Sequence, residues 1–336
     1  MIREAIAKLV AGADLSVDEA QGAMNEIMSG EATEAQIAAF TVALRLKGET
    51  VDEITGCARV MRQKATRIEA PSPDVLDTCG TGGDASGTFN ISTAAAVVAA
   101  GAGCCVAKHG NRSVSSASGS ADVLRELGVN IEAGVPVVER SLREAGIGFL
   151  FAPGLHQAMK YAIGPRRQMG IRTVFNILGP LTNPAGARRQ LLGVYDPGLL
   201  ETMASVLGNL GSVRCLIVHG DDGLDELTTT ATSHVCELEG GRLRSYVVDP
   251  DDLGLPRARL DDLRVGSAAE SAAVIRGILS DRAGPHRDIV VLNAAGALVA
   301  GGKATDFAEG ARLAEEAIRS GAAARVLERL IALTNA

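Results

Sequence analysis

A chain of 336 residues with 46% hydrophobic and 22% charged side chains has the balance of a folded protein, and its length suits one large domain or two ordinary ones. Thirty-three basic against 40 acidic side chains leave a formal charge of −7, which argues against broad nucleic-acid binding through many Lys/Arg–phosphate contacts. No run approaches about 18 uninterrupted apolar residues, and Met1-Ile2-Arg3-Glu4 is no basic-then-apolar leader, so neither membrane span nor secretory signal is expected.

The first 65 residues read as helical. Ser16 with Glu19, Thr33 with Gln36 and Thr50 with Glu53 each match a capping box, where side chains satisfy the orphan N–H groups of a helix start. Apolar stripes of helical period follow each box: Ala20, Ala23, Met24, Ile27 and Met28; Ile37, Phe40 and Leu44; Ile54, Cys57, Ala58 and Met61. Gly30 and Gly48 stand where C-terminal caps belong. Three such helices make a thin core, so the block should pack on the rest of the chain or on a partner.

Pro71-Ser72-Pro73 breaks this texture and marks a linker. Beyond it, candidate strands at 75–77, 104–107, 148–151, 191–195, 215–218 and 288–292 alternate with helical stretches at 91–102, 121–127, 199–207 and 268–279. Such alternation predicts a largely parallel sheet with helices on its faces. Residues 235–239 and 243–248 around Gly240-Gly241 read as an appended antiparallel hairpin. The expected class is α/β: a helical unit over 1–70, with an inserted helical piece near 165–185, and a larger α/β unit over 71–336.

Chemistry concentrates in a few loops. Cys79-Gly80-Thr81-Gly82-Gly83-Asp84 follows the first strand, and its glycines let backbone N–H groups approach an anion. A dinucleotide reading fails: Asp84 would face a pyrophosphate, and Lys108 and His109 stand where a ribose-binding acid belongs. An acid in a phosphate loop suits a divalent cation or a sugar hydroxyl, although a plain tight turn accounts for the loop taken alone. Thr88, Asn90, Ile91, Ser92 and Thr93 open an Ala-rich helix, where hydroxyls serve equally as N-caps and as an anion site at the helix terminus.

The segment Lys108, His109, Gly110, Asn111, Arg112, Ser113, Val114, Ser115 and Ser116, followed by Ser120, tips the balance. Such a density of phosphate-compatible donors after a strand end points to a ligand. Arg166, Arg167 and Arg172 precede the rigid Gly179-Pro180 and Asn183-Pro184 turns, and a guanidinium there can grip a carboxylate through two parallel bonds. Asp225 and Glu226, after the strand ending at His219, are ordinary on a solvated turn but also suit Mg²⁺ arriving with substrate phosphates. Six cysteines without C-x-x-C spacing and five histidines without H-E-x-x-H read as reduced thiols of a cytoplasmic protein, not as a zinc site or disulfide framework.

Taken together, GTGGD at 80–84, NIST at 90–93, KHGNRSVSS at 108–116, RTVFNILGPLTNP at 172–184 and GLDE at 223–226 resemble the anthranilate phosphoribosyltransferase family over nearly the whole chain. The resemblance implies transfer of the phosphoribosyl group of 5-phospho-α-D-ribose 1-diphosphate to the amine of anthranilate, the second step of tryptophan synthesis from chorismate. It implies a nucleoside-phosphorylase-type fold and a cytoplasmic homodimer paired through its helical units. Gly80, Gly83, Asp84, Thr88, Asn90, Ile91, Ser92, Thr93, Lys108, the loop 109–116 and Ser120 would hold the donor. Asn111 and Arg166, with Gly80 where the substrates meet, would hold anthranilate, and Ser92, Asp225 and Glu226 would hold a pair of Mg²⁺ ions. No covalent nucleophile is implied; His109 is a candidate base or a structural histidine. Gln157 departs from the proline common after the family's histidine. Alternatives within the same fold are a pyrimidine nucleoside phosphorylase and a non-catalytic nucleic-acid-binding relative.

Overall fold

The chain opens with a helix absent from the sequence expectation, α1 (Ile2–Val10), which has no side-chain cap to announce it. The capping boxes at Ser16, Thr33 and Thr50 then close in both directions and start α2 (Val17–Met28), α3 (Glu34–Lys47) and α4 (Val51–Lys64). Glu53 does more than cap. Its fully buried carboxylate also accepts from Leu15 N at 2.9 Å and from Lys47 Nζ at 3.0 Å, tying α3 and α4 to the turn that precedes α2.

This computed structural model describes residues 1–112 and 119–336; the donor-site candidates Ser113, Val114, Ser115 and Ser116 lie outside the described residues. After the linker come β1 (Leu76–Gly80), α5 (Ile91–Gly101), β2 (Val106–Gly110), α6 (Ser120–Leu127), α7 (Val135–Glu144) and β3 (Ile147–Phe151). A helical passage follows: the single turn α8 (Ala152–Leu155), α9 (Lys160–Met169) and the turn α10 (Phe175–Leu178). The chain then returns to the sheet with β4 (Arg189–Gly193), α11 (Leu200–Asn209), β5 (Arg214–Gly220) and the hairpin β6 (Ser233–Glu239) and β7 (Arg242–Val248). It ends in α12 (Ala268–Leu279), α13 (Pro285–Ala300), α14 (Phe307–Arg319) and α15 (Ala322–Thr334).

The sheet order is β3-β2-β1-β4-β5-β6-β7, parallel from β3 to β5 and antiparallel in the hairpin. One expected strand is corrected: residues 288–292 lie inside α13. Ile289-Val290-Val291-Leu292 is an apolar β-branched run that periodicity alone cannot separate from a buried helix. Gly284 and Pro285 supply the helix start, and every residue from Ile289 to Ala300 is buried.

One sheet face carries α5, α13 and their neighbours in a single apolar core. The other face shares a second core with the helical unit: Leu192, Val194, Ile217 and Leu238 pack with α11, with α2–α4 and with Ala162, Phe175, Ile177, Leu178 and Leu181. Apolar side chains between 162 and 181 thus join the amino-terminal helices and this sheet face in one core.

Candidate active site

The sheet opens between β1 and β2, one strand away from the β1/β4 point where the strand order turns back and open α/β sheets place ligands. Strands β1 and β2 pair only at Leu76 and Val106, whereas β1 and β4 pair along five positions. Side chains fill the seam instead. Asp77 Oδ1 accepts from His109 N at 3.0 Å, and Lys108 Nζ donates to Thr78 O at 2.5 Å. Asp77 Oδ2 also takes Asn183 Nδ2 at 2.8 Å, fastening the Gly179–Pro184 turn to the seam. Lys108 is buried, reaches Ser92 Oγ at 3.3 Å, and has no carboxylate in salt-bridge contact among the described residues.

The loop leaving β1 is held residue by residue. Thr81 N donates to Gly193 O at 2.9 Å and Tyr195 N to Thr81 Oγ1 at 3.1 Å. Gly82 N donates to Asp225 Oδ2 at 2.7 Å, and Arg172 donates to Gly83 O. Gly82, Gly83 and Ala85 all adopt the left-handed region, which glycine takes freely and alanine at a cost of roughly 1–2 kcal/mol. Thr88 bridges Arg264 across the far rim.

Asn90 caps α5 by accepting from Thr93 N at 3.1 Å, and Ser92 N donates to Glu226 Oε1 at 3.1 Å. The buried Thr93 hydroxyl has no partner among the described residues. Glu226 therefore sits at a helix N-terminus, whose unpaired N–H groups and dipole favour an anion. Around it the acids crowd. Burial, with Asp84 hydrogen-bonded alongside, pushes Asp225 up to about 8. Burial and neighbouring Asp225 hold Glu226 well above the usual carboxylate range. Burial pulls Lys108 the other way, below the ordinary lysine range.

Three supports of this acidic turn were not anticipated from the sequence. Asn293 of α13 accepts from Leu227 N at 3.0 Å and donates to Leu227 O at 2.7 Å, fixing the residue after Glu226. Asp222 takes Leu224 N at 3.2 Å and the hydroxyls of Thr228 and Thr230, closing the turn around the acids. Gly193 leaves room for the Asp225 backbone: an added Cβ would overlap Asp225 O. Gly193→Ala is expected to lower Tm by roughly 4 °C, as overpacking against backbone costs about 3 kcal/mol; scanning fluorimetry checks this, and an unchanged Tm would show that the turn yields freely.

The remaining candidates sit on the rim. Gly110 approaches Ser120 Oγ and Phe149 too closely for any side chain. Asn111 is exposed. Arg112 pairs with Glu132 at 3.3 Å and lies over the Phe151 ring. His109 is buried with its Nε2 3.2 Å from His156 Nε2, and its ring also bonds the Gly179 carbonyl. Burial and the neighbouring imidazole hold it at about 3. That is the environment of a satisfied histidine, with both sides engaged. Arg166, half-buried in α9, lies over Phe175 at 5.4 Å, and burial lowers its pKa. It has no carboxylate partner among the described residues.

The residues present fit a hard divalent cation. Ser92 Oγ and the crowded carboxyls are all-oxygen donors, and a cation relieves their repulsion. No three His, Cys, Asp or Glu side chains form a ready metal cage among the described residues. That suits Mg²⁺, which binds through one or two carboxylates and completes its shell with waters and substrate phosphates.

Comparison with known proteins agrees with this arrangement. Residues 3–65 match the helical bundle domain, and residues 72–324 the a/b domain, of a glycosyl transferase family. Anthranilate phosphoribosyltransferase of Moorella thermoacetica is 58% identical over 332 residues, 99% of this chain and 98% of the relative. The chain belongs to the anthranilate phosphoribosyltransferase family. The crystal structure of the family member from Thermus thermophilus superposes with a TM-score of 0.94 at 44% identity, covering 99% of both chains. The Saccharomyces cerevisiae enzyme in complex with PRPP and Mg gives 0.90 at 28% identity, covering 99% of this chain and 98% of that one. The expected α/β class with a small helical unit holds in both sequence and structure.

Proposed function

We propose that the cleft between the helical unit (1–70 with residues near 165–185) and the α/β unit (71–336) joins anthranilate to the ribose of phosphoribosyl diphosphate. The products are N-(5-phosphoribosyl)anthranilate and diphosphate. The observation that carries this reading is the convergence, at one opened sheet seam, of a pinned glycine loop, a helix N-terminus, a buried lysine and a crowded acidic pair. Relatives over the full chain are named for this reaction; neither the nucleoside phosphorylase nor the nucleic-acid-binding alternative has such support.

In this reading Gly80, Gly83, Asp84, Thr88, Asn90–Thr93, Lys108, the 109–116 loop and Ser120 hold the donor. Asn111 and Arg166 hold anthranilate, the guanidinium facing its carboxylate, with Gly80 between the substrates. Ser92, Asp225 and Glu226 hold Mg²⁺, as a pair of ions. When bound, Mg²⁺ supplies charge stabilisation to the departing diphosphate. The protein's share is positioning and electrostatics. The amine lone pair attacks C1 as the C1–O bond to diphosphate breaks, with positive charge shared by the ring oxygen, and the new C–N nitrogen then releases one proton to solvent. Lys108 and the α5 N–H groups stabilise the negative charge gathering on the leaving group. Alignment in a closed cleft is worth about 7–11 kcal/mol at most, and no side chain need form a covalent bond. His109, engaged on both sides, is left its structural role.

The direct test follows loss of anthranilate fluorescence with purified protein, phosphoribosyl diphosphate and Mg²⁺. Signal should fall only when all are present; loss of signal without the donor, or no loss with the full set, would refute the reading.

A homodimer through the helical unit is part of the same proposal. Among the described residues the most exposed large apolar side chains, Leu46 at 83% and Val10 at 74%, lie at the ends of α3 and α1, which pack side by side. Combined Val10→Asp and Leu46→Asp should reduce the mass measured by light scattering from twice the 34.6 kDa chain mass to that single value. An unchanged mass would place the interface elsewhere. The six unpaired cysteines support a reducing, cytoplasmic location.

A further inference from the structure

We infer that Arg172 is a positioning residue through which the helical unit sets the conformation of the donor loop. The inference rests on the reading above for the identity of that loop's ligand, but its geometry is independent of it. Arg172 stands between α9 and α10, three residues before Phe175, which is buried in the core of the helical unit. Its guanidinium nevertheless crosses to the α/β unit, donating to Gly83 O and lying 4.2 Å over the Tyr195 ring. In a chain with 40 acidic side chains, this exposed arginine has no salt-bridge partner among the described residues.

The neighbours of Gly83 show what the contact adds. Thr81 is held by the end of β4 and Gly82 by Asp225, both from the α/β unit. Gly83 alone is held from the helical side. Its φ of 85° and that of Gly82, 68°, lie where glycine samples widely. A peptide unit is planar, so fixing the Gly83 carbonyl also fixes the opposite N–H, that of Asp84. Arg172 thereby selects one orientation of the loop amide and of the acid behind it. The fit is close: a Cβ on Gly83 would meet Arg172 Nη2 at 2.8 Å.

Without the contact, the binding-ready loop is one of several conformers, and apparent donor affinity falls by the fraction that remains ready. Arg166 stands six positions earlier, on α9. The residue proposed for anthranilate and the residue holding the donor loop thus share one segment of the helical unit.

The experiment uses the full chain, with Arg172→Ala and Arg172→Lys. Hydrogen exchange of amides 81–86 is measured without any ligand. KM for each substrate and the thermal shift given by phosphoribosyl diphosphate with Mg²⁺ complete the set. Arg172→Ala should speed exchange across 81–86, raise the donor KM about tenfold, and shrink the donor-induced thermal shift, with the anthranilate KM within about twofold. Arg172→Lys, which keeps one donor and most of the reach, should recover part of each. Unchanged exchange overturns the inference even if the donor KM rises, because that pattern belongs to direct substrate contact. Equal rises in both KM values overturn it too. If wild-type protein binds the donor but turns over no anthranilate, the functional reading fails, while the exchange and thermal-shift measurements still decide the role of Arg172.

Discussion

Replacing Arg166 by alanine is expected to raise the KM for anthranilate by about two orders of magnitude, leaving the KM for phosphoribosyl diphosphate within about twofold. A charge-assisted, two-point contact to a carboxylate is worth roughly 3 kcal/mol, and each 1.4 kcal/mol is a factor of ten. Two features make the effect specific. The guanidinium lies on Phe175, an anchor within the helical core, and no protein carboxylate competes for it among the described residues. It is therefore held ready without being neutralised. Steady-state kinetics with each substrate varied in turn provides the check. Equal changes in both constants would move Arg166 out of the acceptor pocket.

The second large effect is expected from Asp225→Asn combined with Glu226→Gln. Turnover at limiting Mg²⁺ should fall by about 10²–10³-fold, the loss typical when stabilisation of a leaving charge is removed. Stability without metal should behave differently. Both acids are half-buried or buried and crowd Asp84, so neutral amides relieve repulsion while the Asn Oδ1 can still accept from Gly82 N. Metal-free Tm should hold steady or rise. A double variant with wild-type activity at limiting Mg²⁺ would remove the pair from the metal site. A large fall in metal-free Tm would show instead that the acids serve chiefly to hold the loop.

Much of this site was legible in the sequence because its parts are local. The Gly80–Asp84 turn, the α5 start at Asn90 and the Lys108 strand end each declare themselves within a few residues, by glycine, cap or charge. The capping boxes of α2–α4 are of the same kind. The supports were not legible, since they are distant in sequence: Asn293 meets Leu227 across 66 positions, Asn183 meets Asp77 across 106, and Arg172 meets Gly83 across 89. Asn293 was hidden twice over, because its helix reads as a strand until its burial on all sides is seen. Helix α1 escaped for the opposite reason, having no cap to mark it.

Because residues 162–181 and then 192–238 finish the apolar interior begun by residues 2–61, the amino-terminal helices emerge from the ribosome about 100 residues ahead of the first part of their cover. At about 5–20 residues per second that interval lasts roughly 5–20 s. During it, the side of α3 that packs on α9 has no native covering from its own chain. A nascent chain stalled before residue 160 should therefore be a chaperone client and an aggregation hazard, and one stalled between residues 185 and 238 should remain so, because Leu192, Val194, Ile217 and Leu238 also belong to that interior.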